Sequence, residues 1–152
     1  MKQLEFKQFL PVTIEEAWEF FSSPKNLEII TPAGINFKIL SELPEKIYPG
    51  LLIKYQIGIL RGTRFNWLTE ITDVKQYEFF VDEQRKGPYH YWRHEHYFSK
   101  WDTGVLMTDR LYYDIGRSAL GWLAGDVFVH KKVKTIFNFR RNKLETLFTG
   151  NS

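Results

Sequence analysis

The chain has 152 residues, 21 Lys plus Arg against 18 Asp plus Glu, and no cysteine; that length makes about one domain, able to bury roughly two thirds of its unfolded surface. Zero cysteine excludes disulfides, thiolate metal sites and a cysteine nucleophile, and 26% charged with 43% hydrophobic residues excludes a disordered chain. A net charge of +3 requires no nucleic-acid partner, whereas 17% aromatic residues exceed what an ordinary core needs.

The start, Met1 to Phe6, lacks the apolar run of a signal peptide, and no stretch reaches the ~18 uninterrupted apolar residues of a membrane span. The expectation is one soluble, cytoplasmic domain over residues 1–152 without stable membrane insertion. Leu4, Phe6 and Leu10 alternate with Gln3, Glu5 and Lys7, which predicts a first strand over Lys2 to Leu10, closed by Pro11. Thr13-Ile14-Glu15-Glu16 is a capping box and opens a short helix through Phe21. Ser23-Pro24 opens a second short helix, which Thr31-Pro32 stops.

From Ile35 to about Ile115 the pattern has period two. Leu51, Ile53, Tyr55, Ile57 and Ile59 share a face; after the Arg61-Gly62 turn, Phe65, Trp67, Thr69 and Ile71 share another. The runs Tyr77 to Gln84 and Tyr89 to Lys100 meet at Lys86-Gly87-Pro88, and Trp101-Asp102-Thr103-Gly104 turns into Val105, Met107, Asp109, Leu111 and Tyr113. This is an antiparallel meander with one covered face. A long helix follows over about Asp126 to Phe148, with an apolar stripe of Val127, Val133, Ile136, Phe137, Leu144 and Leu147. Lys131, Lys132, Lys134, Arg140, Arg141 and Lys143 read as its solvated face. The order is satisfied if the sheet curls around the last helix, leaving a cavity between them.

Alternation places Trp92, His94, His96 and Phe98 on one strand face. If that face is concave, the two histidines are polar anchors in an aromatic wall; otherwise they bind neighbouring strands. Asp109, on an apolar face, needs a hydrogen bond or a cation, and His94 or His96 would supply it. Asp82 and Gln84 extend the same polar patch across the hairpin. A zinc site of His90, His94 and His96 is disfavoured, because structural zinc wants four ligands and a catalytic site needs a third one fixed by neighbours. Asp82 or Asp109 would serve only if adjacent strands brought it close, so no metal and no cofactor are expected. No Gly-x-Ser-x-Gly elbow, phosphate-cradling loop or His-Glu-x-x-His run is present. The segment Ala119 to Gly125 reads either as a portal or as a packed lead-in to the last helix.

Phe80-Val81-Asp82-Glu83-Gln84, Gly87-Pro88-Tyr89, Trp92-Arg93-His94-Glu95-His96-Tyr97-Phe98, Gly104, Thr108-Asp109, Ile136-Phe137 and Arg140 together carry a resemblance. The chain resembles the Bet v 1-like or START-like superfamily, also called SRPBCC, and within it the bacterial ligand-binding SRPBCC domain proteins. It departs at Asp114-Ile115-Gly116-Arg117-Ser118, where similar chains usually carry a proline. The resemblance implies an α+β helix-grip fold: a curved antiparallel sheet of about seven strands, two short helices and a long C-terminal helix over a cavity. Some similar domains are fused to nucleotide-sugar-epimerase-like domains.

Three functions stay open at this point. The first is binding of a small hydrophobic or aromatic, lipid- or polyketide-like ligand by Phe65, Trp67, Trp92, Phe98, Met107, Leu111, Tyr113, Ile136 and Phe137, oriented by Asp82, Gln84, His94, His96 and Asp109. The second is a cyclase-, dehydratase- or hydrolase-like enzyme using His94 or His96 with Asp109, although no catalytic residue is assigned. The third is a protein-interaction module resembling co-chaperone domains of the same superfamily, which predicts a filled interior.

Overall fold

A computed structural model describes residues 1–58, 62–118, 121 and 124–149. Strand β1 (Lys2–Leu10) leads into α1 (Ile14–Phe21), followed by two single-turn 3-10 segments, Pro24–Leu27 and Ala33–Ile35. Then come β2 (Lys38–Ile39), β3 (Leu52–Ile57), β4 (Phe65–Lys75), β5 (Phe79–Lys86), β6 (Tyr91–Trp101), β7 (Gly104–Asp114) and the closing helix α2 (Asp126–Thr149). The strands form one antiparallel sheet in the order β1-β7-β6-β5-β4-β3-β2, so the first strand closes against the last.

Period-two patterning dictates these strands: Val105, Met107, Asp109, Leu111 and Tyr113 are buried and their alternates are not. The β4–β5 ladder shifts register at Leu68/Thr69 and again at Ile71/Asp73. Such irregularities bend a strand and raise its twist, which curls the sheet around its concave face. At the β6–β7 turn a Cβ on Gly104 would stand 2.3 Å from the Leu10 carbonyl oxygen, so only glycine lets the β7 backbone pass this close to β1. In place of the missing proline, the Asp114 side chain accepts the Gly116 N–H at 3.0 Å, and Gly116 turns the chain at φ +52°.

Helix α1 starts as its capping box predicts, with Thr13 Oγ1 accepting the Glu16 N–H at 3.1 Å. Ile14, Ala17, Trp18 and Phe21 bury its inner face at helical spacing, and the Trp18 ring meets Phe98 edge-on at 5.7 Å. The second short helix is only a single 3-10 turn, Pro24–Leu27. Ser23 does not cap it; its hydroxyl donates to the Glu19 carbonyl of α1 instead.

The last helix corrects two expectations. Val127 and Leu147 are exposed, and the buried stripe runs Val129, Val133, Phe137, Arg140 and Leu144. Arg140, assigned from sequence to the solvated face, is therefore a core residue at 7% exposure. Helix α2 lies across β1 and β7, where Phe137 stacks on Phe6 at 4.5 Å. No described helix is long and apolar enough to cross a membrane. Ile59, Arg61 and most of Ala119 to Gly125, the segment read as a portal or lead-in, lie outside the described residues.

Candidate functional site

Between the concave face of the sheet, the 3-10 turns and helix α2 lies a cavity of about 190 Å³. Its wall is almost entirely rings and branched aliphatic chains, including Phe21, Ile30, Ile53, Tyr55, Trp67, Ile71, Phe80 and Tyr89. Seven residues expected from the sequence line it: Trp67, Asp82, Trp92, His94, His96, Ile136 and Phe137. The concave face of β6 is thus the Trp92-His94-His96 face.

The other seven expected residues lie elsewhere. Phe98 and Met107 are packed with α1 in one half of the core, and Phe65, Leu111 and Tyr113 belong to the other half with Val129 and Val133. The β7 residues have the right parity, but α2 rests directly on that part of the sheet and fills the space above them. Gln84 ties the β5–β6 hairpin, accepting the Tyr89 N–H at 3.1 Å and donating to its carbonyl at 2.7 Å. Asp109 is 2% exposed and sits behind the cavity wall rather than on it.

One corner of the cavity is polar. Register sets Asp82 opposite His94 across β5–β6 and Asp109 opposite His96 across β6–β7, so strand pairing alone concentrates four titratable groups. Their side chains then cross diagonally. His94 Nε2 donates to Asp109 Oδ1 at 2.9 Å, while His96 Nε2 donates to Asp82 Oδ2 at 2.6 Å. The imidazoles stack at 3.7 Å, and Phe80 covers the outer face of His96 at 4.0 Å. His96 Nδ1 lies 3.3 Å from Asp109 Oδ1, an ion-pair distance without hydrogen-bond geometry. Arg140 reaches the same oxygen from α2 at 3.4 Å.

Charges in this corner balance. Burial, then the repulsion of His96, pulls His94 down to about 4, so its ring is neutral at neutral pH. Burial also opposes charge on His96, yet its contacts with Asp109 and Asp82 outweigh that and raise it, which favours the cation. Burial alone would raise both carboxyls; the Arg140 guanidinium and the histidines hold Asp109 well below the usual carboxylate range, and His96 lowers Asp82. Two carboxylates therefore face the Arg140 guanidinium and the His96 ring, whose cationic form they favour, the pairing a buried ionic group requires.

Sequence reasoning missed Arg140, Tyr55, Thr69 and Tyr89, all on the cavity wall. Arg140 had a readable signal: it stands three residues after Phe137 and four before Leu144, on the apolar stripe rather than off it. The hydroxyls of Tyr55 and Thr69 pair at 3.1 Å, and burial pushes the Tyr55 phenol up. Two N–H donors on the wall, Trp67 Nε1 and Arg140 Nε, are buried without an acceptor. Such groups cost about 1–3 kcal/mol each unless an occupant pairs them.

No family model and no curated protein matches the chain. Solved structures do. The chain is similar to protein Ms6760 from Mycobacterium smegmatis (TM-score 0.69, 18% identity, over 99% of this chain and 92% of that one). It is similar also to ginseng major latex-like protein 151 from Panax ginseng (TM-score 0.68, 13% identity, over 97% of each chain). A nucleoside-diphosphate sugar epimerase from Corynebacterium glutamicum matches over 93% of this chain but only 28% of its own (TM-score 0.60, 19% identity). These fits cover at least 93% of this chain, whose curved seven-stranded sheet grips one long C-terminal helix, and on that ground the chain has the helix-grip fold.

Proposed function

We propose that this protein binds a small, largely apolar, ring-bearing molecule in the cavity beneath α2. The observation that carries the reading is the cavity itself: about 190 Å³ of space walled mostly by rings and aliphatic chains, with a few polar groups among them. Pockets for small molecules have this character, apolar surface for affinity and a few polar groups for orientation. An engineered apolar cavity of ~150 Å³ already accepts benzene, so this one suits a ligand of one or two fused rings rather than a long chain. The unpaired donors on Trp67 and Arg140 favour a ligand that carries oxygen acceptors, such as a ketone, phenol or carboxylate. The open interior also weighs against the interaction-module reading, which calls for a filled one.

A catalytic reading draws on one specific observation. Stacked His94 and His96 on the cavity wall are shifted in opposite directions, His94 towards a base and His96 towards an acid, and such a pair is what proton transfer to and from a ligand needs. In that reading Asp109 orients His94 from behind.

The test of binding is mass spectrometry of protein purified natively from its own host, first under non-denaturing and then under denaturing conditions. The expected result is an excess mass of roughly 100–250 daltons, that of a substituted one- or two-ring compound, which is lost on denaturation. A chain of bare mass that also shows no thermal shift with any of a panel of one- and two-ring phenols, ketones and acids overturns the proposal.

A further inference from the structure

The polar corner holds more than hydrogen bonds between carboxylates and imidazoles. The donor atoms of Asp82, His94 and His96 all lie within 4.8 Å of one another. Asp109 accepts from His94 Nε2, which leaves Nδ1 of the neutral ring as a lone pair on the opposite side. That lone pair takes no hydrogen bond and stands 3.9 Å from Asp82 Oδ2, another acceptor. His96 presents Nε2 to the same Oδ2 at 2.6 Å, with its other nitrogen backed by Asp109 at 3.3 Å. Two imidazole nitrogens and one carboxylate oxygen thus converge, and one buried carboxylate braces both rings from behind.

We propose that Asp82, His94 and His96 form a binding site for a divalent first-row transition ion, whose remaining coordination positions open into the cavity. Two imidazoles and a carboxylate are the ligand set such ions take, with positions left for water or an exogenous oxygen. Ligands about 2.0–2.1 Å from an ion stand roughly 3.0–3.4 Å apart. To reach that spacing the His96–Asp82 pair opens and the His94–Asp82 pair closes, each by about half an ångström, and the two imidazole nitrogens, within 4.8 Å of each other, close by up to about 1.4 Å, which rotation of the side chains supplies. The ion replaces the proton shared between His96 and Asp82, which is released to solvent. Asp109 then plays the part of the carboxylate that orients a ligating histidine through its other ring nitrogen. It is not itself a ligand, because its Oδ1 is already shared with the Arg140 guanidinium and it lies off the cavity wall. Sequence spacing set this site aside for want of a third ligand; the β5–β6 register supplies it in Asp82.

Equilibrium dialysis and visible absorption with Co(II), on full-length protein stripped with a chelator, test the proposal. The expected result is one equivalent bound per chain, with visible bands absent from aqueous Co(II), and competition by Zn(II). Asp82→Asn, which keeps the shape of the side chain, is expected to weaken binding by more than about 100-fold; Asp109→Asn weakens it about 10–100-fold, the range for residues behind a metal ligand. His90→Ala leaves binding unchanged. No bound equivalent, or a bound equivalent undiminished by Asp82→Asn and by His94→Ala with His96→Ala, overturns the site. Far- and near-ultraviolet circular dichroism of each variant separates lost folding from lost ligands, and the wild-type stoichiometry is decisive without any variant.

Discussion

His94 illustrates how a single residue ties the cavity to the stability of the fold. In the folded chain it titrates at about 4, and in an unfolded chain at about 6.5. Between those values the unfolded state binds more protons, so stability falls as pH drops from about 6.5 towards 4. His96 is shifted the other way, so its contribution is complete below about 6.5 and fades only as pH rises through its raised folded value. Asp82 and Asp109 are lowered, and their contributions are lost only as pH falls below the usual carboxylate range near 4. The metal-free protein is therefore expected to lose stability already between about pH 6 and 5, before its carboxylates protonate. Urea midpoints at pH 7, 6 and 5 check this, with His94→Gln as the comparison, since its amide reaches the Nε2 position and still donates to Asp109. Wild type should change little from pH 7 to 6, where His96 offsets His94, and fall from 6 to 5, while the variant loses less over that last step; parallel curves would assign the acid sensitivity to other groups.

At the scale of elements, helix α2 decides how the sheet is covered, and its sequence is deceptive. A stripe drawn through its strongest hydrophobes includes Val127 and Leu147, yet Val127 is 71% exposed and Leu147 40%. The face that docks is set by Val129, Val133 and Phe137, and it carries Arg140 inward to Asp109. Burial of a charged residue is unreadable until its partner strand is known, because the cost of burying it is met by a group some 31 positions earlier. This rotation of the helix gives a direct prediction. Leu144→Ala removes a fully buried side chain and costs about 2–5 kcal/mol, whereas Leu147→Ala stays within about 0.5 kcal/mol. Thermal unfolding of the two variants reads the difference; equal losses would mean that the stripe drawn from the sequence is the docked one. The strands were more legible than the helix, because alternation has only two phases and the Trp92-His94-His96 face turned out to be the concave one.

For the whole molecule, curvature determines which inward-facing residues meet space and which meet the helix. Parity correctly turned Met107, Leu111 and Tyr113 inward, but β7 lies beneath α2, so they became packing rather than wall. The cavity opens instead under β3 to β6, where Tyr55, Thr69 and Tyr89 join the wall from positions that look like ordinary strand and hairpin residues. Element order was readable because each element carries its own signal. Cavity shape was not, since it depends on where two register shifts in β4–β5 bend the sheet.

Binding in that cavity is the central claim, and a fluorescence titration with 2-naphthol, a neutral two-ring phenol, tests it most directly. Ile71 faces the space from β4, paired across the ladder with Asp82, so Ile71→Phe fills part of it beside the polar corner. The account predicts one saturable site per chain in the wild type, with probe affinity reduced at least about tenfold in Ile71→Phe, a difference of ~1.4 kcal/mol. No saturable binding in the wild type, or the same affinity in a folded Ile71→Phe, would contradict it.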